Sequence, residues 1–481
     1  MRFWWTNLDD PFSTAPQKTR ADGFSDVTQA GKFTQDHIDA ARYLNDSGSQ
    51  KAALRATLYT LAALTLFTLW LGVDLAYVYF SLTVFVVAGN FPIFFCLFKP
   101  KLRNPSPPFA LLPPNDCDAQ ELPFYSILVP VLDEPGMMQQ IATSLAHINY
   151  PYQRLEILIL LETRDQATMA SAMNINWGAH IHLVAVPSGK PNTKARACNY
   201  GLSIARGEFV VIFDAEDKPH SDQLRTAAAI FATRDASLVC LQAPLKIHLA
   251  HNKWLQNQFA LEYKILFSLA LQVLSNLNMV MPLGGSSNHF HTESLRKVGG
   301  WDAFNLTEDA ELSMRLAKNG FRTQMLSPPT IENAPHSLSV WFNQRTRWLT
   351  GHIQTWCIHM RHPRDTLNLI GWRNFLAFNA IILGRLFSGL LHASYLIYLL
   401  VALPDLVGSQ ATFTIYLATP IPIILFSVGI IYSPADSWPH KIWLSLTQPF
   451  YWALTSLALL NACWRILTSR LDWLKTSHRP Y

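Results

Sequence analysis

Val210-Val211-Ile212-Phe213 runs directly into Asp214-Ala215-Glu216-Asp217, and the reading of that junction decides the middle of the chain. A short apolar run ending in polar residues has the pattern of a buried parallel strand. The strand expected here covers residues 209–213, and similar runs lie at 125–131, 155–161, 181–186 and 238–242. Between them, 137–147, 167–173, 194–205 and 222–233 carry helical spacing or good helix formers. Strand alternating with helix predicts a doubly wound α/β sheet, whose ligand belongs beyond the carboxyl ends of the strands.

That rule directs attention to the acids at strand ends. Asp214, Glu216 and Asp217 put three carboxylates within four residues, and they repel one another unless a cation sits among them. Oxygen-rich sites of this kind suit Mg²⁺ or Mn²⁺. A solvated acidic turn would have the same composition; its place at the ligand edge favours the cation. The first strand ends in Val129-Pro130-Val131-Leu132-Asp133-Glu134-Pro135 and the second in Glu162, followed by Asp165. Such acids either accept from a base edge or ribose hydroxyl or are simply solvated turn residues.

Two further segments carry candidate chemistry. Gly299-Gly300-Trp301-Asp302 precedes Leu306-Thr307-Glu308-Asp309-Ala310-Glu311, and Leu312, Leu316 and Asn319-Gly320 complete a helix with acids in its first turn and a glycine stop. Glu308 and Asp309 either complement the helix dipole or supply a base that takes a proton from a nucleophilic hydroxyl. Farther on, Gln344, Arg347, Trp348 and Gly351 fall at i, i+3, i+4 and i+7 of a helix. A guanidinium matches diphosphate oxygens and an indole offers a flat surface to a sugar ring. With His352, His359, Arg361, His362 and Arg364 nearby, the segment also suits a membrane-surface helix.

The frame around this region is apolar. Of 481 residues 50% are hydrophobic, and 38 basic against 33 acidic residues leave a charge of +5, which suits proximity to anionic lipid and argues against a dedicated nucleic-acid binder. The six cysteines, Cys96, Cys117, Cys198, Cys240, Cys357 and Cys463, form no CxxC pair and read as reduced thiols. Residues 1–50 are polar, without a signal-peptide pattern. Stretches 56–73 and 75–98 are each long enough to cross a bilayer. Lys51, Arg55, Lys99, Lys101 and Arg103 flank them, which predicts a hairpin with both ends cytosolic. Apolar segments resume at 375–403, 411–432 and 442–464, with Arg385 inside the first and Pro449 inside the last; either is a simple span or a split, re-entrant or interfacial element. Three spans would leave the basic tail outside, whereas its charge favours the cytosol. The expected layout is a cytosolic segment 1–50, a transmembrane hairpin 51–100, a proline-rich linker 101–122, a soluble domain 123–365, a membrane region 366–465 and a basic tail 466–481.

The acidic strand end, the Thr307-Glu308-Asp309 junction and Gln344-Arg345-Thr346-Arg347-Trp348, in that order, resemble the processive family 2 glycosyltransferases, a group with cellulose, hyaluronan and other exopolysaccharide synthases. The resemblance implies a GT-A (Rossmann-like) cytosolic domain inserted between transmembrane helices of the plasma (inner) membrane. It further implies a UDP-sugar donor, UDP-glucose by default, inversion at the anomeric carbon, a growing β-glucan threaded across the bilayer, and regulation or export through a separate subunit. By position, Pro130, Asp133, Glu134 and Glu162 resemble the uridine edge, and Lys194 resembles the donor-binding lysine. Asp214 and Glu216 take the DxD positions, with Glu216 or Asp217 as second metal ligand. Asp309, beside Glu308, takes the base position; Gln344, Arg347 and Trp348 take the QxxRW positions, where Arg347 meets the donor diphosphate and Gln344 and Trp348 the acceptor. Gly284-Gly285-Ser286-Ser287-Asn288 resembles the acceptor loop, with Gly285 and Ser286 foremost. Two rivals are a transferase adding one sugar to a polyprenyl or other lipid phosphate, and an inactive membrane receptor or secretion platform. Asp214, Glu216, Asp309 and Arg347 argue against the second, because a dead site has no reason to keep four charges together.

Overall fold

The computed structural model describes residues 122–233, 236–249, 253–406 and 429–468. Within it the expected alternation appears as β1 (Tyr125–Val131), α1 (Met138–Ala146), β2 (Leu155–Glu162), α2 (Gln166–Met173), β3 (Ile181–Val186), α3 (Lys194–Ile204), β4 (Phe209–Ile212), β5 (Lys218–Pro219), α4 (Gln223–Thr233) and β6 (Leu238–Gln242). Every residue of β2 is buried, as a central strand covered on both faces requires. Successive residues serve opposite cores. Ile127, Val129, Ile157, Ile159 and Val211 pack with Met138, Ile141 and Leu145 of α1, while Leu128, Leu158, Leu160, Val210 and Ile212 pack with Ala195, Cys198 and Leu202 of α3. The two-residue period of the strands thus produces a helix–sheet–helix sandwich.

The chain continues through β7 (Leu245–His248), α5 (Trp254–Ile265), α6 (Leu271–Asn276), β8 (Asn288–His291), α7 (Thr292–Lys297), α8 (Glu308–Lys318), β9 (Arg322–Met325) and β10 (Thr330–Asn333). The main sheet has the order β3-β2-β1-β4-β8-β6-β9, and a second sheet has the order β5-β10-β7. To the expected strands the structure adds β8, which the sequence did not single out and which lies antiparallel to both β4 and β6. Asn288-His289-Phe290-His291 is too short and polar to announce itself as a central strand. It is accommodated because His289 exchanges hydrogen bonds with the Tyr125 hydroxyl at 2.7 Å and Gln223 Oε1 at 3.1 Å, and burial lowers its pKa to about 3, so the ring stays neutral.

Long helices follow: α9 (Leu338–His359), α10 (Pro363–Leu406) and α11 (Trp438–Leu467). α10 breaks at Gly371, whose φ of 75° and ψ of 160° are non-helical, and not at Arg385. α11 is continuous through Pro449, so the proline does not split it. Among the described residues one helix, Trp438–Leu467, is long and apolar enough to cross a membrane. Trp438, Ile442, Leu446, Phe450, Leu457, Leu460 and Trp464 make up an exposed apolar stripe along it. The expected spans at 56–73 and 75–98 lie outside the described residues, as does 411–432 apart from its last four positions; 375–403 falls within α10.

Candidate active site

The carboxyl ends of β1, β2 and β4, parallel neighbours in the main sheet, carry the candidate site. At its first edge Asp133 holds a φ of 47°, an uncommon conformation for a residue with a side chain, which concentrates at functional sites. The loop is tied to the start of α2: the Asp133 amide donates to Asp165, the Glu134 amide to Thr168 Oγ1 at 2.9 Å, and Asp165 Oδ1 accepts from the Thr168 amide at 3.1 Å. Pro130 lies just behind, half-buried on β1. Glu162, at the end of β2, differs from a bare nucleotide-facing acid. Both its oxygens accept from Arg196 of α3, at 2.7 and 2.6 Å, so a buried carboxylate presents a guanidinium that also donates to the Pro187 carbonyl at 2.6 Å. Burial raises the Glu162 pKa and Arg196 offsets part of the rise.

The end of β4 carries the acidic tetrapeptide. Lys194, at the first turn of α3 behind the Thr193 cap, pairs with Asp214 Oδ1 and donates to the Gly285 carbonyl. Burial opposes charge on this ammonium, but Asp214 and then Glu308 outweigh it and raise its pKa. Asp217 turns inward. Its Oδ2 accepts from the Asp214 amide at 2.7 Å and from the Ser286 hydroxyl, and its Oδ1 is buried with no hydrogen-bond partner. Burial, then repulsion from Asp214, pushes its pKa well above the carboxylate range. Ser287, beside Ser286, has a φ of 58°. β10 brings in Glu332, a fourth acid that the sequence did not single out; burial and then Asp217, Glu216 and Asp214 raise its pKa strongly.

Among the described residues no three His, Cys, Asp or Glu side chains converge closely enough to hold a metal ion by themselves. Of the two candidates for second ligand beside Asp214, Asp217 braces the loop through the Asp214 amide and Ser286. One or two carboxylates still suit a divalent cation that keeps waters and takes phosphate oxygens. The surplus of buried negative charge around the orphaned Asp217 oxygen fits such an ion.

The opposite wall is the start of α8. Asp309 Oδ1 accepts from the Ala310 amide at 2.8 Å. A methyl group built on Gly285 would stand 3.5 Å from Asp309 Oδ2 and 4.0 Å from Lys194 Nζ, which brings together the loop, the acid and the lysine expected to serve acceptor, base and donor. Glu308 is buried, and its pKa rises to about 7 through burial and then repulsion from Asp309, with Lys194 and Arg347 offsetting part. The Asp309 pKa is raised by burial as well. Arg347 of α9 donates to the Leu306 carbonyl at 3.4 Å; burial lowers its pKa against Glu308, Asp309 and Asp214. α9 reaches this close because position 351 is glycine: a Cβ there would come within 2.6 Å of the Thr307 amide nitrogen. The face shared by Gln344, Arg347, Trp348 and Gly351 thus splits by duty. Arg347 and Gly351 meet the Leu306–Asp309 segment, while the Trp348 ring stacks 6.2 Å from that of Phe259 on α5, tilted 25°. Gln344 is half-buried, its Oε1 without a hydrogen bond.

The family described as "Glycosyltransferase like family 2" matches residues 123–351. The chain is 25% identical over 237 residues to the beta-monoglucosyldiacylglycerol synthase of Trichormus variabilis, covering 48% of this chain and 50% of that one. It is 23% identical over 363 residues to cellulose synthase 2 of Novacetimonas hansenii, covering 72% and 22%. The chain spans about half the length of the first curated relatives it matches. A mannosyltransferase from Pyrobaculum calidifontis, solved with GDP-mannose and Mn²⁺, superposes with a TM-score of 0.51 at 16% identity, over 81% of this chain and 99% of that one. That likeness is one of fold, a GT-A-like α/β arrangement.

Proposed function

We propose, from the premise that residues 123–351 are a family 2 glycosyltransferase domain, that the protein transfers sugar from a UDP-sugar, UDP-glucose by default, to the end of a growing β-glucan at the cytosolic face of a membrane. The observation that carries this reading is the convergence of Lys194, Asp214, Gly285, Glu308, Asp309 and Arg347, drawn from distant segments, on one cleft. Lys194 and Arg347 hold the donor diphosphate by charge and hydrogen bonding. Asp214 and Glu216 would hold Mg²⁺ or Mn²⁺, whose chemistry there is to neutralise the departing diphosphate. Asp309 Oδ2 takes the proton of the acceptor hydroxyl as its oxygen bonds to the anomeric carbon and the bond to UDP breaks; direct displacement inverts that carbon. Trp348 is the platform on which the acceptor sugar stacks, and a product that becomes the next acceptor needs such a surface. The exposed apolar stripe of α11 supports membrane embedding, and a multi-pass frame with the tail in the cytosol is part of this proposal.

A second reading, transfer of one sugar to a lipid, is favoured by the similarity to beta-monoglucosyldiacylglycerol synthases. One experiment separates the two. The full chain in bilayers is incubated with radiolabelled UDP-sugars, with and without diacylglycerol or polyprenyl phosphate, and the products are extracted and digested with linkage-specific hydrolases. Polymer from UDP-glucose is expected; label confined to the lipid phase would replace the first reading by the second. In the polymerase, Trp348→Ala impairs elongation more than donor hydrolysis, and an equal fall in both would remove the acceptor role from the indole.

A further inference from the structure

Arg385 is a charge inside an apolar segment, a placement that costs free energy unless a partner compensates it. Its Nη2 lies 3.5 Å from Glu262 Oε1 on α5. The same carboxylate accepts both arms of Arg345 of α9, at 2.7 and 2.5 Å, and the Tyr451 hydroxyl of α11, at 2.7 Å. That hydroxyl in turn accepts from the Trp341 indole at 3.0 Å and from Arg345 at 3.1 Å, which uses its donor and both lone pairs. Four helices, α5, α9, α10 and α11, therefore meet at one carboxylate.

What this carboxylate orients is a guanidinium lodged among rings. The Arg345 carbon lies 4.9 Å from the Trp348 ring centre, 5.4 Å from Trp341 and 5.9 Å from Phe259. Phe259 and Tyr263 also neighbour the half-buried Trp348, each 6.2 Å away between ring centres. A planar cation stacks on an aromatic face, which a lysine does not reproduce. Apolar packing would join these helices at no loss of stability, so a geometric role accounts better for the charges.

We propose that Glu262 and Arg345 are positioning residues that set the orientation of the Trp348 ring, and that α10 and α11 bias it through Arg385 and Tyr451. The helices that frame the membrane side thereby adjust the acceptor platform of the cleft. This inference rests on reading Trp348 as that platform.

The test uses the full chain carrying 5-fluorotryptophan in bilayer nanodiscs, with the Trp348 fluorine resonance assigned from Trp348→Phe. Tyr451→Phe removes one hydroxyl and keeps the ring, and Arg385→Gln leaves the bidentate pair intact, so both preserve the packing. Each is expected to shift the Trp348 resonance while that of Trp177, on the far side of the domain, stays in place. Each should also lower the ratio of polymer to hydrolysed donor by about three- to tenfold, within the coupling expected of side chains in contact, with hydrolysis itself within about twofold. Arg345→Lys keeps the charge but not the flat stack and should show the same defect. An unmoved Trp348 resonance in both mild variants, parent-like behaviour of Arg345→Lys, or an equal fall of polymer and hydrolysis would overturn the proposal. A shifted resonance in a protein whose parent makes no polymer would support the positioning role and overturn the polymerase reading instead.

Discussion

The two ends of the site, the one proposed to hold the donor and the one proposed to carry out transfer, handle charge in opposite ways. At the donor end Glu162 is matched by Arg196 and Asp214 by Lys194, and the pairs are joined to backbone carbonyls of neighbouring loops. At the transfer end Glu308 and Asp309 share one helical turn, both buried enough to be pushed toward the protonated form, with Lys194 and Arg347 only partly compensating. A paired charge is a holding device. An incompletely compensated carboxylate with a raised pKa is suited to accepting a proton near neutral pH.

If that contrast is right, perturbing the two ends should produce different kinetic signatures. The largest effect expected is at the acidic strand end: excess EDTA should abolish turnover, with Mg²⁺ or Mn²⁺ restoring it, because the cation proposed at Asp214 and Glu216 is what neutralises the departing diphosphate. Full turnover in chelator would erase the assignment of Asp214 and Glu216. Next, Asp309→Asn keeps shape but cannot take the proton; it should lower transfer by about 10²–10⁴ while UDP binding with metal stays nearly unchanged. A variant polymerising within about tenfold of the parent would move the base elsewhere.

Lys194→Met should act in the reverse sense, lowering kcat/KM for the donor by about tenfold to a hundredfold, the loss of a charged hydrogen bond, with weaker UDP binding as its mark. An unchanged UDP affinity would break the distinction between the ends. Gly351→Ala forces α9 away from Thr307 and should cost about 1–3 kcal/mol of stability, read as a lowered denaturant midpoint.

The smallest effect is a shift in pH dependence. The base must be unprotonated, so kcat/KM should fall as pH drops into the range where burial, which raises the Asp309 pKa, keeps that carboxyl protonated. Glu308→Gln removes the carboxyl that burial and the Asp309 charge keep protonated up to about 7, so it takes no negative charge away from the base in that range and should move the limb by less than about one unit. A limb that moved acidward by more than that would mean that Glu308 is charged there and repels the ionised base.

How much of this was legible beforehand follows from the range of each interaction. β1 and β6 begin and end where the apolar runs do, because a strand buried on both faces needs nothing beyond its own residues to reveal it, and so does the half-buried edge strand β3. The glycine stop of α8 was equally local, and Gly320 has a φ of 76°. Asp214, Glu308-Asp309 and Arg347 could each be picked out within a few residues. Glu332 could not: within Thr330-Ile331-Glu332-Asn333 it is a lone acid, and only the pairing of β10 with β5 and β7 carries it to the acidic loop. Arg196 and Glu262 were missed for the same reason, since their partners lie 34 and 83 residues away.

The amino-acid sequence by itself determined the alternation of elements, the chemical inventory of the cleft and the order in which its parts occur, all consequences of periodicity and residue type over short stretches. Only the tertiary structure decided which charges neutralise one another. It inserted β8 against the run of the sheet, turned Asp217 inward as a brace, covered Glu162 with Arg196 and joined four helices at Glu262. Those outcomes depend on burial and on distances between segments far apart in the chain, and the energy of a buried charge is set by the partner that long-range packing delivers to it.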